Sequence, residues 1–209
     1  MKQPEPAGSG KESLIAPDIT PLLHILGYFH PLSPEIEAYL KEHVTSCPVR
    51  KRKLLLKEGA LCDSIYFLVK GAVRGFIREG QKDITTWIVI ENELVTSIFS
   101  LDNPAPSIEN IQALENCELL AMSYDSLNEL YGRFPESNLI ARKLLQRYYA
   151  DAERRAFIAR LTKAENKYRH FLLLHQPLAN RIPLKYIASY LGMTLETLSR
   201  VRKKFTSRS

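Results

Sequence analysis

Leu184-Lys-Tyr-Ile-Ala-Ser-Tyr-Leu-Gly-Met-Thr-Leu-Glu-Thr-Leu-Ser-Arg-Val-Arg-Lys-Lys204 reads as a helix, a tight turn and a second helix. Pro183 stands just ahead, where a first-turn proline is tolerated. Ile187, Ala188 and Leu191 give the first helix one apolar face, and Ala188 is small where a second helix must cross closely. Gly192 follows at a sharp turn, where glycine tolerates positive φ. Thr194 is a good N-cap for the second helix. Leu198 and Val201 face inward at i, i+3 spacing, with Leu195 a further inward candidate. The result is a polar, basic helix on an apolar support, as a DNA-reading helix-turn-helix requires. Candidate contacts to double-stranded DNA are Lys185, Thr194, Leu195, Glu196, Thr197, Ser199, Arg200, Lys203 and Lys204. The plainer alternative is a helical hairpin with a solvated basic face.

Charge is partitioned in favour of the first reading. From Arg160 to Ser209 eleven lysines and arginines face two acids, Glu165 and Glu196, a net +9. The whole chain carries +6, so the preceding residues carry −3. A basic C-terminal module on a slightly acidic body suits a polyanion partner for that module alone.

The remaining composition excludes several classes. A chain of 209 residues holds one large or two small domains. Hydrophobic residues at 45% and charged residues at 25% are ordinary for a globular protein. Apolar runs such as Ile65–Val69 fall well short of the ~20 residues that span a bilayer, so no membrane partner is expected. Met1 to Gly10 lacks the apolar core of a signal peptide and reads as a flexible lead. Cys47, Cys62 and Cys117 make no CxxC pair or metal spacing. Their odd number without a secretory signal suits reduced thiols in the cytoplasm.

Periodicity divides the chain. Ile19 to Ser46 is helical, with Leu22, Leu23, Leu26, Ile36, Tyr39 and Leu40 on apolar faces. Ser33-Pro34 is a helix start. Between Arg50 and Tyr124 short β-rich runs alternate with turns at Lys70-Gly71, Glu79-Gly80 and Asp102-Asn-Pro104. Expected strands are 53–56, 64–70, 72–78, 84–90, 108–113 and 118–123, enough for a small antiparallel jelly roll. A short helix over 125–134 ends at Pro135, and one long helix follows over 137–161. Its stripe of Ala141, Leu145, Tyr148, Ala152, Ala156 and Ala159 is narrow, the pattern of a two-helix seam, and predicts a homodimer. Packing against the chain's own barrel is the alternative. Thr162-Lys-Ala-Glu165 is a capping-box sequence that marks a hinge after Leu161, before a helix over 163–175. The expected fold class is α+β. An N-terminal antiparallel double-stranded β-helix occupies residues 19–135, a long dimerisation helix 136–161, and an all-α helix-turn-helix domain with a truncated wing 162–209.

Two segments and their order resemble the Crp/Fnr family of bacterial transcription regulators. Glu58-Gly59 through Tyr66-Phe67-Leu68 to Gly71-Ala-Val73 is similar to the opening motif of the family's roll. Ala188 through Gly192, Thr194, Glu196 and Thr197 to Arg200 is similar to its recognition helix-turn-helix. The resemblance covers about residues 20–205 and implies a homodimer on a twofold-symmetric DNA site.

Three departures are visible against the family pattern. Nucleotide-binding members carry Gly-Glu-Leu and, later, Arg-Ser, for ribose and cyclic phosphate. Those places hold about Val95-Thr96-Ser97 and Pro106-Ser107 here, and Glu91–Glu115 has no basic residue. The Thr-Ser pair that meets the base falls near Asp151-Ala152. The wing hairpin past the recognition helix has no counterpart in Phe205–Ser209. An unpaired cyclic phosphate is costly in a roll interior, so the pocket is expected to be degenerate. Arg74, Thr96, Ser97 and Ser107 are the residues left to hold a small-molecule effector of unknown identity. No cofactor is expected: no cysteine precedes Cys47 to hold a cluster, and His24, His30, His43, His170 and His175 read as surface or capping residues rather than haem ligands.

The leading function is a dimeric DNA-binding transcription regulator. The alternative is a ligand-binding regulatory module whose terminal hairpin makes protein contacts. An enzyme ranks third, since no histidine lies between Arg50 and Asn166 and no catalytic constellation stands out.

Overall fold

The computed structural model describes residues 16–98 and 105–206. The lead Met1–Gly10, the turn at Asp102-Asn-Pro104 and the tail after Thr206 lie outside the described residues.

Two helices come first among the described residues, α1 (Thr20–Phe29) and α2 (Pro34–His43). Ser33 caps α2, its Oγ accepting from the Ile36 amide, with Pro34 at the first turn. Eight strands follow among the described residues: β1 (Thr45–Val49), β2 (Leu54–Leu56), β3 (Ser64–Lys70), β4 (Ala72–Glu79), β5 (Lys82–Ile90), β6 (Glu93–Val95), β7 (Asn110–Ala113) and β8 (Cys117–Ser123). They form two antiparallel sheets, ordered β1-β8-β3-β6 and β2-β7-β4-β5. Sequence periodicity missed β1 and β6. Both are short, and β1 carries Pro48, which interrupts a strand pattern.

The inward faces of both sheets meet in a core that includes Leu68, Val73, Ile111, Ala113 and Leu119, all at most 1% exposed. On the outside of the first sheet α1, α2 and α3 (Tyr124–Arg133) cover Phe67 and Leu120 with Leu22, Ile36 and Leu40. Gly75 has a steric reason: a Cβ there would stand 2.2 Å from the Trp87 ring of the neighbouring strand.

The long helix α4 runs from Pro135 to Arg160, 26 residues and roughly 39 Å at 1.5 Å per residue. Ser137, Ile140, Leu144 and Ile158 are buried against the chain itself. After Leu161 come α5 (Ala164–His175), α6 (Leu178–Arg181), α7 (Leu184–Tyr190) and α8 (Leu195–Thr206). The capping box does not form: α5 begins one residue beyond the expected start, behind Lys163, with no side-chain cap. Its four-residue frame needs Thr162 at the N-cap, and Lys163 holds that place. Pro183 likewise stands at the N-cap of α7 rather than inside its first turn.

The last four helices do not stand apart from the roll. Ala72, Ile88 and Leu114 of the roll share one apolar cluster with Phe171, Leu178, Ile187, Leu191 and Leu198. No helix among the described residues is long and apolar enough to cross a membrane.

Candidate nucleic-acid interface

The α7–turn–α8 unit is built as its residues dictate. Ile187, Ala188 and Leu191 are at most 3% exposed and meet Leu198 and Val201 of α8. Gly192 makes the turn at φ +62°, and its amide donates to the Ser189 carbonyl. The Thr197 amide donates to Thr194 Oγ1 at 3.2 Å, so Thr194 caps α8. With that support fixed, Lys185, Thr194, Glu196, Ser199, Arg200, Lys203 and Lys204 are exposed and Thr197 is half-buried. Leu195 points outward, 43% exposed, and contributes nothing to the support. Lys204 reaches back to Glu165 at 3.0 Å, an exposed pair of small net worth.

The unit is anchored to the second sheet. Ser189 Oγ accepts from the Thr85 amide at 2.9 Å and donates to the Asp83 carbonyl at 3.1 Å. Arg181 pairs with both Glu91 (2.5 Å) and Glu115 (2.7 Å). That pairing holds the Glu91 carboxyl at about 2, well below its ordinary 4.5.

Arg74 belongs to this anchor and not to the roll interior. It is 2% exposed, pairs with Asp83 at 2.7 Å, and packs its guanidinium over Tyr186 of α7 at 4.2 Å. Residue spacing could not show this, because strand alternation around the bulge at Gly75/Phe76 decides which way Arg74 turns.

The other three pocket residues do gather. Ser107 Oγ lies 3.3 Å from Ser97 Oγ and donates to the Glu109 carbonyl at 2.8 Å. Thr96 Oγ1 bonds the Tyr124 hydroxyl and the Ser64 carbonyl. The hydroxyls therefore satisfy one another and the backbone. Sequence reasoning missed Tyr124, whose phenol burial pushes up, and Glu109, whose carboxyl burial also raises while Trp87 Nε1 donates to it at 2.9 Å. A Tyr directly after a strand and an acid in a β-rich run carried no distinguishing signal.

On α4 the seam residues separate. Tyr148 turns inward: its hydroxyl donates to Glu93 at 3.0 Å and accepts from the Leu94 amide at 2.8 Å, and Arg147 also pairs with Glu93. Ala141 is half-buried. Leu145 (50% exposed), Ala152, Ala156 and Ala159 face outward, joined by Tyr149 at 68%. Tyr148 thus leaves the expected stripe, and Tyr149 takes its place on the outward line. Both tyrosines fit a three-or-four step, and only the hydrogen bonds to β6 decide between them. His175, read as a surface or capping residue, is half-buried between α4 and α7.

Residues 47–134 match the model of the cyclic nucleotide-binding domain. Over 170 residues the chain is 24% identical to the transcriptional activator protein Anr of Pseudomonas protegens, covering 76% of this chain and 69% of that one. It is 25% identical to the transcriptional activator protein FnrA of Stutzerimonas stutzeri, with the same coverage. Among solved structures, FixK2 from Bradyrhizobium japonicum aligns with a TM-score of 0.68 at 20% identity, over 79% of this chain and 85% of that one. The c-di-GMP responsive global regulator CLP of Xanthomonas campestris aligns with a TM-score of 0.66 at 17% identity, over 84% of this chain and 93% of that one. At those identities the structures speak for the fold. Fold and matched domain define a class, a cyclic nucleotide-binding roll followed by a helical C-terminal module. The named activators, at 24 and 25% identity, are similar to the chain as the two motifs' resemblance to the Crp/Fnr family implied. Both curated relatives are named as transcriptional activators.

Proposed function

We propose that the chain is a dimeric transcription regulator that reads a twofold-symmetric site in double-stranded DNA through α8. The observation that carries this reading is the split surface of α8. Leu198 and Val201 are buried while Glu196, Arg200, Lys203 and Lys204 are exposed, in a C-terminal segment whose net positive charge exceeds that of the whole chain. Lys185 and Ser199 extend that face. Dimerisation runs through α4, where Leu145, Tyr149, Ala152, Ala156 and Ala159 step by four and three along an exposed line. The three parts then divide the work: roll over 19–135, connector over 136–161, reader over 162–209.

The roll takes no cyclic nucleotide in this reading. Thr96, Ser97 and Ser107 spend their hydrogen bonds internally, Arg74 is committed to Asp83 and Tyr186, and the buried Glu109 carboxyl would face a phosphate with like charge.

Selection of genomic fragments by the purified protein tests the function. The expected product is a palindrome whose half-sites are one helical turn apart, about 10 base pairs. Affinity should fall steeply with added salt. Recovery of no common sequence, or binding indifferent to salt, would overturn it.

A further inference from the structure

A cavity of about 470 Å³ lies where β5, α4 and the helices α5, α6 and α7 converge. That size suits a small molecule. Ile88, Ile90 and Leu178 make an apolar wall, and Arg155, His175 and Tyr190 line it as well. Most charges around it are already paired: Arg147 with Glu93, Arg154 with Asp151 at 2.8 Å, and Glu91 with Arg181. Arg155 differs. It is half-buried and has no ion-pair partner among the described residues. Burial keeps the His175 imidazole below its ordinary range, which leaves it neutral. The Arg155 guanidinium therefore lines the space without a salt-bridge partner among the described residues, the buried Glu109 carboxyl acting on it only at longer range. Glu93 and Asp151 also border the cavity, so a second negative charge on a ligand would meet repulsion.

We propose that this cavity binds a small organic monocarboxylate with an apolar body, the carboxylate on the Arg155 guanidinium and the body against Ile88, Ile90 and Leu178. A planar guanidinium fork matches a carboxylate with two parallel bonds. The site is separate from the Thr96, Ser97 and Ser107 cluster inside the roll. It touches the roll, the connector helix and the DNA-reading helices at once. A ligand there favours whichever arrangement of the three keeps the cavity whole.

Calorimetric titration of the full chain without DNA tests the site independently of any DNA reading. The probes are 3-phenylpropanoate and octanoate, with 3-phenylpropanamide and inorganic phosphate as comparisons. The carboxylates should bind at least about tenfold tighter than the amide or phosphate. Arg155→Gln should remove that advantage, and Ile90→Trp, which fills the space, should remove binding. Circular dichroism confirms that each variant is folded. Should Arg155→Gln unfold, the preference for acid over amide together with its loss in Ile90→Trp decides the matter. The proposal fails if the amide or phosphate binds as well as the acids. It fails equally if a folded Arg155→Gln binds like the unaltered chain, or if neither acid binds at concentrations up to roughly ten millimolar.

Discussion

Arg200 and Glu196 sit four apart on α8, exposed and on one face. By the resemblance both match base-contacting positions, arginine suiting a guanine and glutamate a cytosine amino group. Arg200→Ala should weaken binding to the selected site by ~1–3 kcal/mol and relax one base position. Anisotropy titrations against single-base variants of the site measure both effects, and unchanged affinity with unchanged preference would remove the assignment. Gly75 gives a second expectation on this scale. Gly75→Ala forces a methyl into the Trp87 ring, and overpacking of that kind costs ~1–3 kcal/mol, readable in the denaturant midpoint. The two residues differ in how far sequence announces them. The exposed position of Arg200 on α8 was legible because a glycine turn and an apolar repeat fix its frame. The role of Gly75 depends on a tryptophan twelve residues away across a bulged hairpin, a relation no local pattern contains.

At the scale of elements, periodicity located the long helix and most of the roll, with ends shifted by one or two residues. It could not give the rotation of α4 about its axis. Two stripes coexist there. Ser137, Ile140, Leu144 and Ile158 pack inward, and Leu145, Tyr149, Ala152, Ala156 and Ala159 face out. Packing against the chain's own roll accounts for the inward stripe, and the outward stripe has no partner within the chain among the described residues. If the outward line is the dimer seam, Ala152→Glu sets two like charges at a close contact. Light scattering should then show a monomer, and DNA affinity should drop. A dimer that survives the change would place the interface elsewhere. For the roll, calorimetry with cyclic AMP and cyclic GMP should give millimolar rather than micromolar constants, because loss of a buried charge partner costs ~2–5 kcal/mol and each ~1.4 kcal/mol is tenfold. A dissociation constant at or below about ten micromolar would contradict the internally satisfied pocket.

For the whole molecule, the contact between the roll and the reader rests mainly on apolar burial. Each large apolar side chain fully buried there contributes ~1.5–3 kcal/mol, whereas a partly exposed ion pair such as Arg181 with Glu91 contributes at most ~1 kcal/mol. The ion pairs fix orientation. They also fix a pH dependence. Glu91 titrates at about 2 when folded and at an ordinary 4.5 when free, so its contribution is present above about 4.5 and is lost as the pH falls towards 2. Acid titration followed by intrinsic fluorescence should show destabilisation in that window, and Arg181→Gln should flatten it. None of this docking was legible beforehand. Arg181, Tyr186 and Ser189 looked like ordinary members of a basic helical segment, and their partners lie between 66 and 112 residues earlier in the chain.

Ser189 has a further consequence. β5 is the last strand of its sheet, and an edge strand left bare is a template for pairing with another chain. The Ser189 hydroxyl occupies the free Thr85 amide and Asp83 carbonyl, and α7 lies along the same strand. The reader thus acts as an intramolecular shield against strand-to-strand aggregation. Any movement that lifts it from the roll uncovers a solubility hazard, and a fragment ending at Leu161 should form open-ended aggregates with rising concentration in sedimentation experiments while the full chain does not.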